Sequence, residues 1–433
     1  MPSPPEQTGL RAQVHLHDLA AGGEAVGRLA DGRIVFVPGG APEEEVEVSL
    51  DELRKGYVRG TLRRVLSPSP HRVAPVCSLA APGRCGGCPI MHVSRPTQLS
   101  AKQNWVTRAV RHSGAVVLPI LAPTPEQHYR IRTKLGVMHG SDGAKLSFAI
   151  SRTSGRQPIA ACPVLREELS AVLFAKATHL TTLIGAGGSV SALVGEQQGQ
   201  QRVQLAVELG RSARRPQVIA ELQRLIDEGT LCGAILGSEV LGAASVDIGG
   251  ELGPLAASAD GFAQASEPGH SLLPMLVQAA VAAGHTAPPS ILELYAGSGN
   301  LTRALLTLGG TVLAVEGEPR AAARLRDLAH SPRAEQRLTV QPVSVERALP
   351  EILRDGPRCD TIVLDPPRGG ARPIVPMLGA LSARRIVYVS CDAMTLGRDL
   401  GELQHFGFTP RTVQPIDLMP HTAEVECVAV LDR

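Results

Sequence analysis

Aromatic side chains are scarce in this chain, 3% of residues with a single Trp, so any partner recognised by stacking must rely on few rings. Charge of one sign is lacking too: 43 Lys and Arg stand against 41 Asp and Glu. That balance neither demands nor excludes a nucleic-acid partner, for which a local basic patch suffices. No run of about 18 or more apolar residues occurs, so no membrane span is expected. The first ten residues, Met1 to Leu10, lack a basic start followed by an apolar stretch, so no signal peptide is expected and the anticipated compartment is the cytoplasm. What is present is ample apolar material, 43% of the 433 residues, enough for well-buried cores and for two or three domains. No fixed-period repeat is present, and a monomer is expected.

Short apolar segments at Val14 to His17, Ile34 to Val37 and Val46 to Val48, parted by Gly- and Pro-rich turns, predict a small all-β unit up to about residue 67. Arg54, Lys55, Arg59, Arg63 and Arg64 follow closely. Strand alternation places some of them on one face, where they suit either a phosphate-binding edge or a solvated edge protected by charge. Residues 71–92 carry little regular pattern, and 97–113 read as a helix with Leu99, Trp105, Val106 and Val110 apolar. Alternating segments at Tyr129 to Val137, Arg202 to Glu208 and Ala244 to Ile248, with a helix at 214–227, predict a second β-rich region. From about 262 the style changes. Apolar strands at Ile291 to Leu294, Val312 to Val315, Leu338 to Val340, Thr361 to Leu364 and Arg385 to Val389 alternate with amphipathic helices, as in a doubly wound α/β domain with a parallel sheet.

Within that domain, Ile291-Leu-Glu-Leu-Tyr295-Ala-Gly297-Ser-Gly299-Asn300 reads as strand, glycine loop, helix start. The glycines permit a tight turn and close approach of backbone to a ligand. Glu316 ends the next strand about 20 residues on, where a carboxylate can accept from ribose hydroxyls. A dinucleotide or S-adenosylmethionine fits. Thr302, three residues after Gly299, fits the dinucleotide fingerprint poorly.

Two further strands deliver reactive groups to the same sheet edge. Thr361 to Leu364 ends at Asp365, before Pro366 and Pro367, and Arg385 to Ser390 delivers Cys391. A buried cysteine is ordinarily a small core residue, but a strand end beside a cofactor loop suits a nucleophile. In His421-Thr-Ala-Glu424-Val-Glu426-Cys, the two glutamates are expected on one strand face, as a base or as surface charge on an edge strand.

Of eight cysteines, Cys77, Cys85, Cys88 and Cys162 cluster. Clustered cysteines in a reducing compartment read as metal ligands before disulfides, and four thiolates suit zinc or an iron–sulfur cluster.

These residues carry a resemblance to the 5-methyluridine RNA methyltransferase family, and within it to the 23S ribosomal RNA branch, over essentially the whole chain. Val35-Phe-Val-Pro-Gly-Gly and Arg54-Lys-Gly-Tyr resemble pieces of a TRAM RNA-binding barrel. Ser390-Cys-Asp-Ala-Met-Thr-Leu-Gly-Arg-Asp resembles the nucleophile motif, implying Cys391 as nucleophile; Pro420-His-Thr-Ala-Glu-Val-Glu resembles the C-terminal motif, implying Glu426 as base. A thiolate adding to uracil C6 makes C5 enolate-like, C5 takes the methyl group, and a base then removes the C5 proton. Gly261-Phe-Ala-Gln-Ala-Ser resembles the opening of the catalytic domain, implying Gln264 at the cofactor and Phe262 near the target base; Ser266 stands where the family usually has Asn. The resemblance also implies Tyr295, Gly297, Gly299, Asn300, Glu316 and Asp365 around S-adenosylmethionine. Asp365 and Arg132 are implied at the substrate, with Arg130 and Lys134 as further RNA contacts. It favours a 4Fe–4S cluster on Cys77, Cys85, Cys88 and Cys162. Radical S-adenosylmethionine enzymes, by contrast, typically use three cysteines at C-x3-C-x2-C. The domains expected are a TRAM barrel at 1–70, a central domain at 71–96 and 125–258, and a methyltransferase domain at 97–124 and 259–433. The expected partner is RNA, 23S rRNA first. The alternatives are a tRNA uridine or another RNA base methylated from the same donor.

Overall fold

Alternation of apolar and polar residues in the first part of the chain builds five strands, β1 (Arg11–Leu19), β2 (Ala25–Arg28), β3 (Ile34–Val37), β4 (Glu44–Arg54) and β5 (Tyr57–Ser67). In the computed structural model, which describes residues 10–433 apart from positions 55, 141, 142, 151, 152, 333 and 335, they close into a barrel of order β1-β2-β3-β5-β4. Inward positions Val14, Leu16, Val35, Val37, Val46, Val48 and Val58 fill it. Trp105, on the helix Arg95–Val110, packs into the same core and donates its indole N–H to Leu19 O at 2.6 Å. Closure leaves no free edge for the basic residues to protect. Arg59 pairs with Glu24 at 2.7 Å and Arg63 donates to Ser49 Oγ at 3.0 Å. Arg54 and Arg64 are exposed, and Lys55 lies outside the described residues.

β6 (Val116–Val117) precedes a nine-stranded sheet made of β7 (Arg132–Gly140), β8 (Gly143–Ala149), β9 (Arg156–Pro158), β10 (Ser189–Gln197), β11 (Gln200–Glu208), β12 (Gly233–Leu236), β13 (Glu239–Gly242), β14 (Val246–Asp247) and β15 (Ala256–Ala257). Its path is β13-β12-β11-β10-β7-β8-β9, with β14 pairing β10 and β15. The helix Arg215–Asp227 lies where the pattern predicts it.

The C-terminal sheet contains β16 (Ser290–Leu294), β17 (Thr311–Val315), β18 (Leu338–Gln341), β19 (Thr361–Leu364), β20 (Arg385–Ser390), β21 (Thr409–Ile416) and β22 (Glu426–Asp432). Its order is β18-β17-β16-β19-β20-β22-β21-β6. The first five strands in that order are parallel, and β22 runs antiparallel to both β20 and β21. Apolar clusters cover both faces, which is why these strands read as continuous apolar runs rather than as alternation.

Two compact units divide the chain. The first runs through Trp105 and takes in Phe148–Gln157 and Met419–Glu424; the second holds Val106–Ser147, Pro158–Leu418 and Val425–Arg433.

The structure corrects one expectation. Glu424 and Glu426 do not share a strand face, because β22 begins at Glu426 and Glu424 lies in the loop before it. His421 adopts φ 67°, Thr422 Oγ1 donates to Met419 O at 2.7 Å, and Glu424 N donates to Thr422 Oγ1 at 3.2 Å. The threonine side chain thus occupies backbone groups that a ladder would need. Nor is β22 an edge strand, since β20 and β21 flank it.

Candidate active site

β16 feeds a loop whose backbone turns three times through the left-handed region, at Tyr295 (φ 60°), Gly297 (φ 58°) and Gly299 (φ 96°). A Cβ on Gly299 would come within 2.9 Å of Leu328, so only glycine fits there. The Glu316 carboxylate, at the end of β17, accepts from Gly297 N at 2.7 Å and from Glu318 N at 2.6 Å, tying this loop to the next. Asn300 donates to Gly269 O at 2.9 Å, and the Tyr295 hydroxyl lies 3.4 Å from Glu346. The result is a loop of left-handed turns at the end of β16, fixed by the Glu316 carboxylate.

Beneath this loop lies a residue that the sequence reading passed over. Glu293 is buried within β16, and neither of its oxygens has a hydrogen-bond partner among the described residues. Burial pushes its carboxyl up to about 8, Thr302 opposes the shift, and the charges of Asp365 and Glu316 add to it. Burial also raises Asp365 to about 7, although that side chain keeps partial exposure. A carboxyl whose folded pKa is raised favours the folded state fully below its unfolded value, near 4.5. That contribution is lost as pH climbs through about 8. The Tm of the ligand-free protein is therefore expected to fall more between pH 6 and pH 8.5 for wild type than for Glu293→Gln, which cannot ionise. Parallel Tm profiles for the two proteins would contradict this assignment.

Ser390, the last residue of β20, is paired with Cys427 of β22; Cys391 directly follows the one and Glu426 directly precedes the other. Glu426 is buried and Cys391 half-buried. Around the cysteine, Ser390 Oγ donates to Asp392 O at 3.0 Å, and Asp392 Oδ1 caps the helix Ala393–Gln404 by accepting from Thr395 N at 2.9 Å. Cys427 is fully buried, and its thiol is pushed far up, first by desolvation and then by Glu426 and Cys391. Cys427 is thus a core residue of the same strand pair.

The segment 258–270 is pinned from several sides. Ile131 N donates to Ala265 O at 2.9 Å, and the Arg132 guanidinium donates to Gly261 O and Ala263 O, both at 3.0 Å. Arg132 also sits 5.6 Å from the ring centroid of Phe262, which projects 71% exposed. Two of the Arg132 donors thus hold the Phe262 loop. Arg130 Nε donates to Arg132 O at 3.1 Å, and Lys134 pairs with Glu208 at 2.9 Å. Gln264 accepts through its backbone carbonyl from His270, whose imidazole is lowered to about 4 by burial. Ser266 is buried with its hydroxyl unpartnered.

Arg303 completes the frame and also escaped sequence reasoning. It is 4% exposed and donates to the carbonyls of Gly249, Gly253 and His270, joining the 249–253 loop to the segment just before the helix Leu272–Ala282. Arg303→Met is expected to strand these buried carbonyls and to cost about 4 kcal/mol in urea unfolding. A loss below about 1 kcal/mol would show that the carbonyls find other partners.

Cys77, Cys85 and Cys88 fall in the first compact unit and Cys162 in the second, all half-buried. Among the described residues, no group of three or more His, Cys, Asp or Glu side chains is gathered so as to hold a metal ion. No step of the chemistry below passes through a cluster. No helix of the described residues is long and apolar enough to cross a membrane.

The sheet order, the antiparallel β22 and the glycine loop at the β16 strand end define an S-adenosylmethionine-dependent methyltransferase fold. Two family models match the chain, TRAM domain over residues 5–62 and tRNA (Uracil-5-)-methyltransferase over residues 260–433. The chain is 31% identical to the RNA methyltransferase gll3134 of Gloeobacter violaceus, over 98% of this chain and 97% of that one. It is also 31% identical to the 23S rRNA (uracil(1939)-C(5))-methyltransferase RlmD of Alkalilimnicola ehrlichii, over 93% and 92%. The crystal structure of Pyrococcus abyssi tRNA (uracil-54, C5)-methyltransferase with S-adenosyl-L-homocysteine superposes with a TM-score of 0.70 at 20% identity, covering 98% of this chain and all of that one. The chain belongs to the TRAM-containing, S-adenosylmethionine-dependent family of RNA uridine C5-methyltransferases.

Proposed function

We propose that this protein methylates C5 of a uridine through a covalent adduct on Cys391, with Glu426 removing the C5 proton. The observation that supports the reading is the Ser390–Cys427 pair at one end of β20 and β22, which Cys391 follows and Glu426 precedes, on the sheet whose strand ends also lead to Asp365 and the glycine loop. S-adenosylmethionine, when bound, supplies an electrophilic methyl group on a sulfonium. Gly297 and Gly299 admit it against the backbone, Glu316 and Asn300 hold the loop's shape, and Gln264, Tyr295 and Asp365 complete its surroundings. Phe262, presented by Arg132, meets the RNA beside the target base.

The Cys391 thiolate forms a bond to uracil C6 while the C5–C6 π pair moves toward the C4 carbonyl. C5 then forms a bond to the methyl carbon, and the methyl–sulfur bond breaks with its electrons left on sulfur. Glu426 takes the C5 proton, the C5–C6 double bond returns, and the thiolate leaves.

Two RNAs compete as the substrate. Relatives named as 23S rRNA methyltransferases, such as that of Dichelobacter nodosus at 28% identity over 97% of this chain, support ribosomal RNA. The description of the matching C-terminal family model and the archaeal structure support a tRNA uridine. Labelled methyl transfer to unmodified ribosomal RNA and tRNA, followed by nucleoside digestion, decides between them. The expected product is 5-methyluridine in one RNA, and any other methylated nucleoside contradicts the reading. An iron–sulfur cluster on Cys77, Cys85, Cys88 and Cys162 is a separate proposal that rests on donor chemistry alone. It predicts iron and acid-labile sulfide in anaerobically purified protein.

A further inference from the structure

Asp399 is fully buried on the helix that follows Cys391, yet it carries a carboxylate. Its Oδ2 accepts from Ala371 N at 2.6 Å and from the Tyr388 hydroxyl at 2.7 Å, and its Oδ1 accepts from Arg398 Nε at 2.8 Å. Arg398 Nη2 in turn donates to Gly369 O at 2.8 Å. Gly370 between them has φ +76°, and a Cβ there would stand 2.4 Å from Asp399 Oδ2. These partners are not scattered. Gly369 to Ala371 form the loop that follows Asp365, Tyr388 lies on β20 three residues before Cys391, and Asp399 lies on the helix just after it. One carboxylate thus ties the Asp365 loop to both elements that flank the nucleophile.

We propose that Asp399 is a positioning residue that fixes the Asp365 loop relative to Cys391, and so aligns the uracil ring for attack at C6. This role rests on Cys391 being the nucleophile. Asp399→Asn keeps the side chain's shape, but it turns an N–H₂ group toward either the Arg398 guanidinium or the Ala371 and Tyr388 donors, opposing donor to donor. The loop is then released, and a misplacement of about 1 Å costs on the order of 100-fold in rate.

The test compares wild type, Asp399→Asn and Tyr388→Phe in single-turnover methyl transfer to an RNA transcript, alongside Tm and S-adenosylhomocysteine affinity by calorimetry. Asp399→Asn is expected to lose about 100-fold in the transfer rate. Its KM for RNA and its affinity for S-adenosylhomocysteine should stay within about threefold of wild type, a split that a merely structural lesion does not produce. Tyr388→Phe removes one donor and keeps the Arg398 pair, so it should lose about 10-fold while remaining folded, and it carries the test where Asp399→Asn fails to fold. Transfer rates within threefold of wild type in folded variants would overturn the role. So would a loss that follows Tm or cofactor affinity. If wild type itself forms 5-methyluridine without any Cys391 adduct, the nucleophile reading fails and the positioning role falls with it.

Discussion

Replacing Cys391 with alanine is expected to lower the rate of 5-methyluridine formation by at least about ten-thousand-fold. Without the thiolate, C5 of uracil has too little electron density to take a methyl group. Cys427, the nearest other thiol, is fully buried and its thiol is pushed far up by desolvation, so it cannot substitute. S-adenosylhomocysteine affinity should be unchanged within about threefold, because the glycine loop and Glu316 lie on other strands. Calorimetry beside single-turnover kinetics checks both halves. A variant that retained more than about 1% of wild-type activity would remove Cys391 from the mechanism.

Glu426→Gln has the second largest expected effect, and of a different kind. Glutamine keeps the shape of the side chain on buried β22 but cannot take a proton. Thiolate addition and methyl transfer should proceed, after which the methylated adduct should wait for its C5 proton to be lost. Release is expected to slow by about a thousand-fold, and a covalent protein–RNA band should accumulate on denaturing gels with ordinary uridine RNA. The band should vanish in the Cys391→Ala, Glu426→Gln double variant. Product release at the wild-type rate would assign the base to another residue.

The five parallel strands could be read from sequence because both their faces are buried, which leaves unbroken runs such as Thr361 to Leu364. β21 was not readable in the same way. Its sequence, Thr-Pro-Arg-Thr-Val-Gln-Pro-Ile, breaks the run with two prolines, and its pairing with β22 is irregular between Pro410 and Thr412. β6 is two residues long and owes its place to pairing with β21, some 300 residues away. The strand ends that lead to Gly297, Glu316, Asp365 and Cys391 were legible because an apolar run stops there at a glycine, an acid or a cysteine. Glu293 was hidden inside its strand, although an acid in an otherwise apolar run is itself a signal. Arg303 left none, since its partners are backbone carbonyls that only the fold brings near; Asp399 closes the motif that begins at Ser390, but its partners Ala371 and Tyr388 reach it only in the fold. Arg132 was legible as a member of a basic strand, but its bonds to the carbonyls of the loop that carries Phe262 come from the fold.

The central claim is covalent catalysis by Cys391, and trapping tests it most directly. RNA carrying 5-fluorouridine has no C5 proton to lose, so after methyl transfer the enzyme should remain attached. Protease digestion and mass spectrometry of the trapped complex should place the nucleotide on the peptide containing Cys391, only when S-adenosylmethionine is present for the methylated form. A nucleotide mapped to any other cysteine, or methyl transfer to uridine RNA with no adduct formed on 5-fluorouridine RNA, would contradict the account.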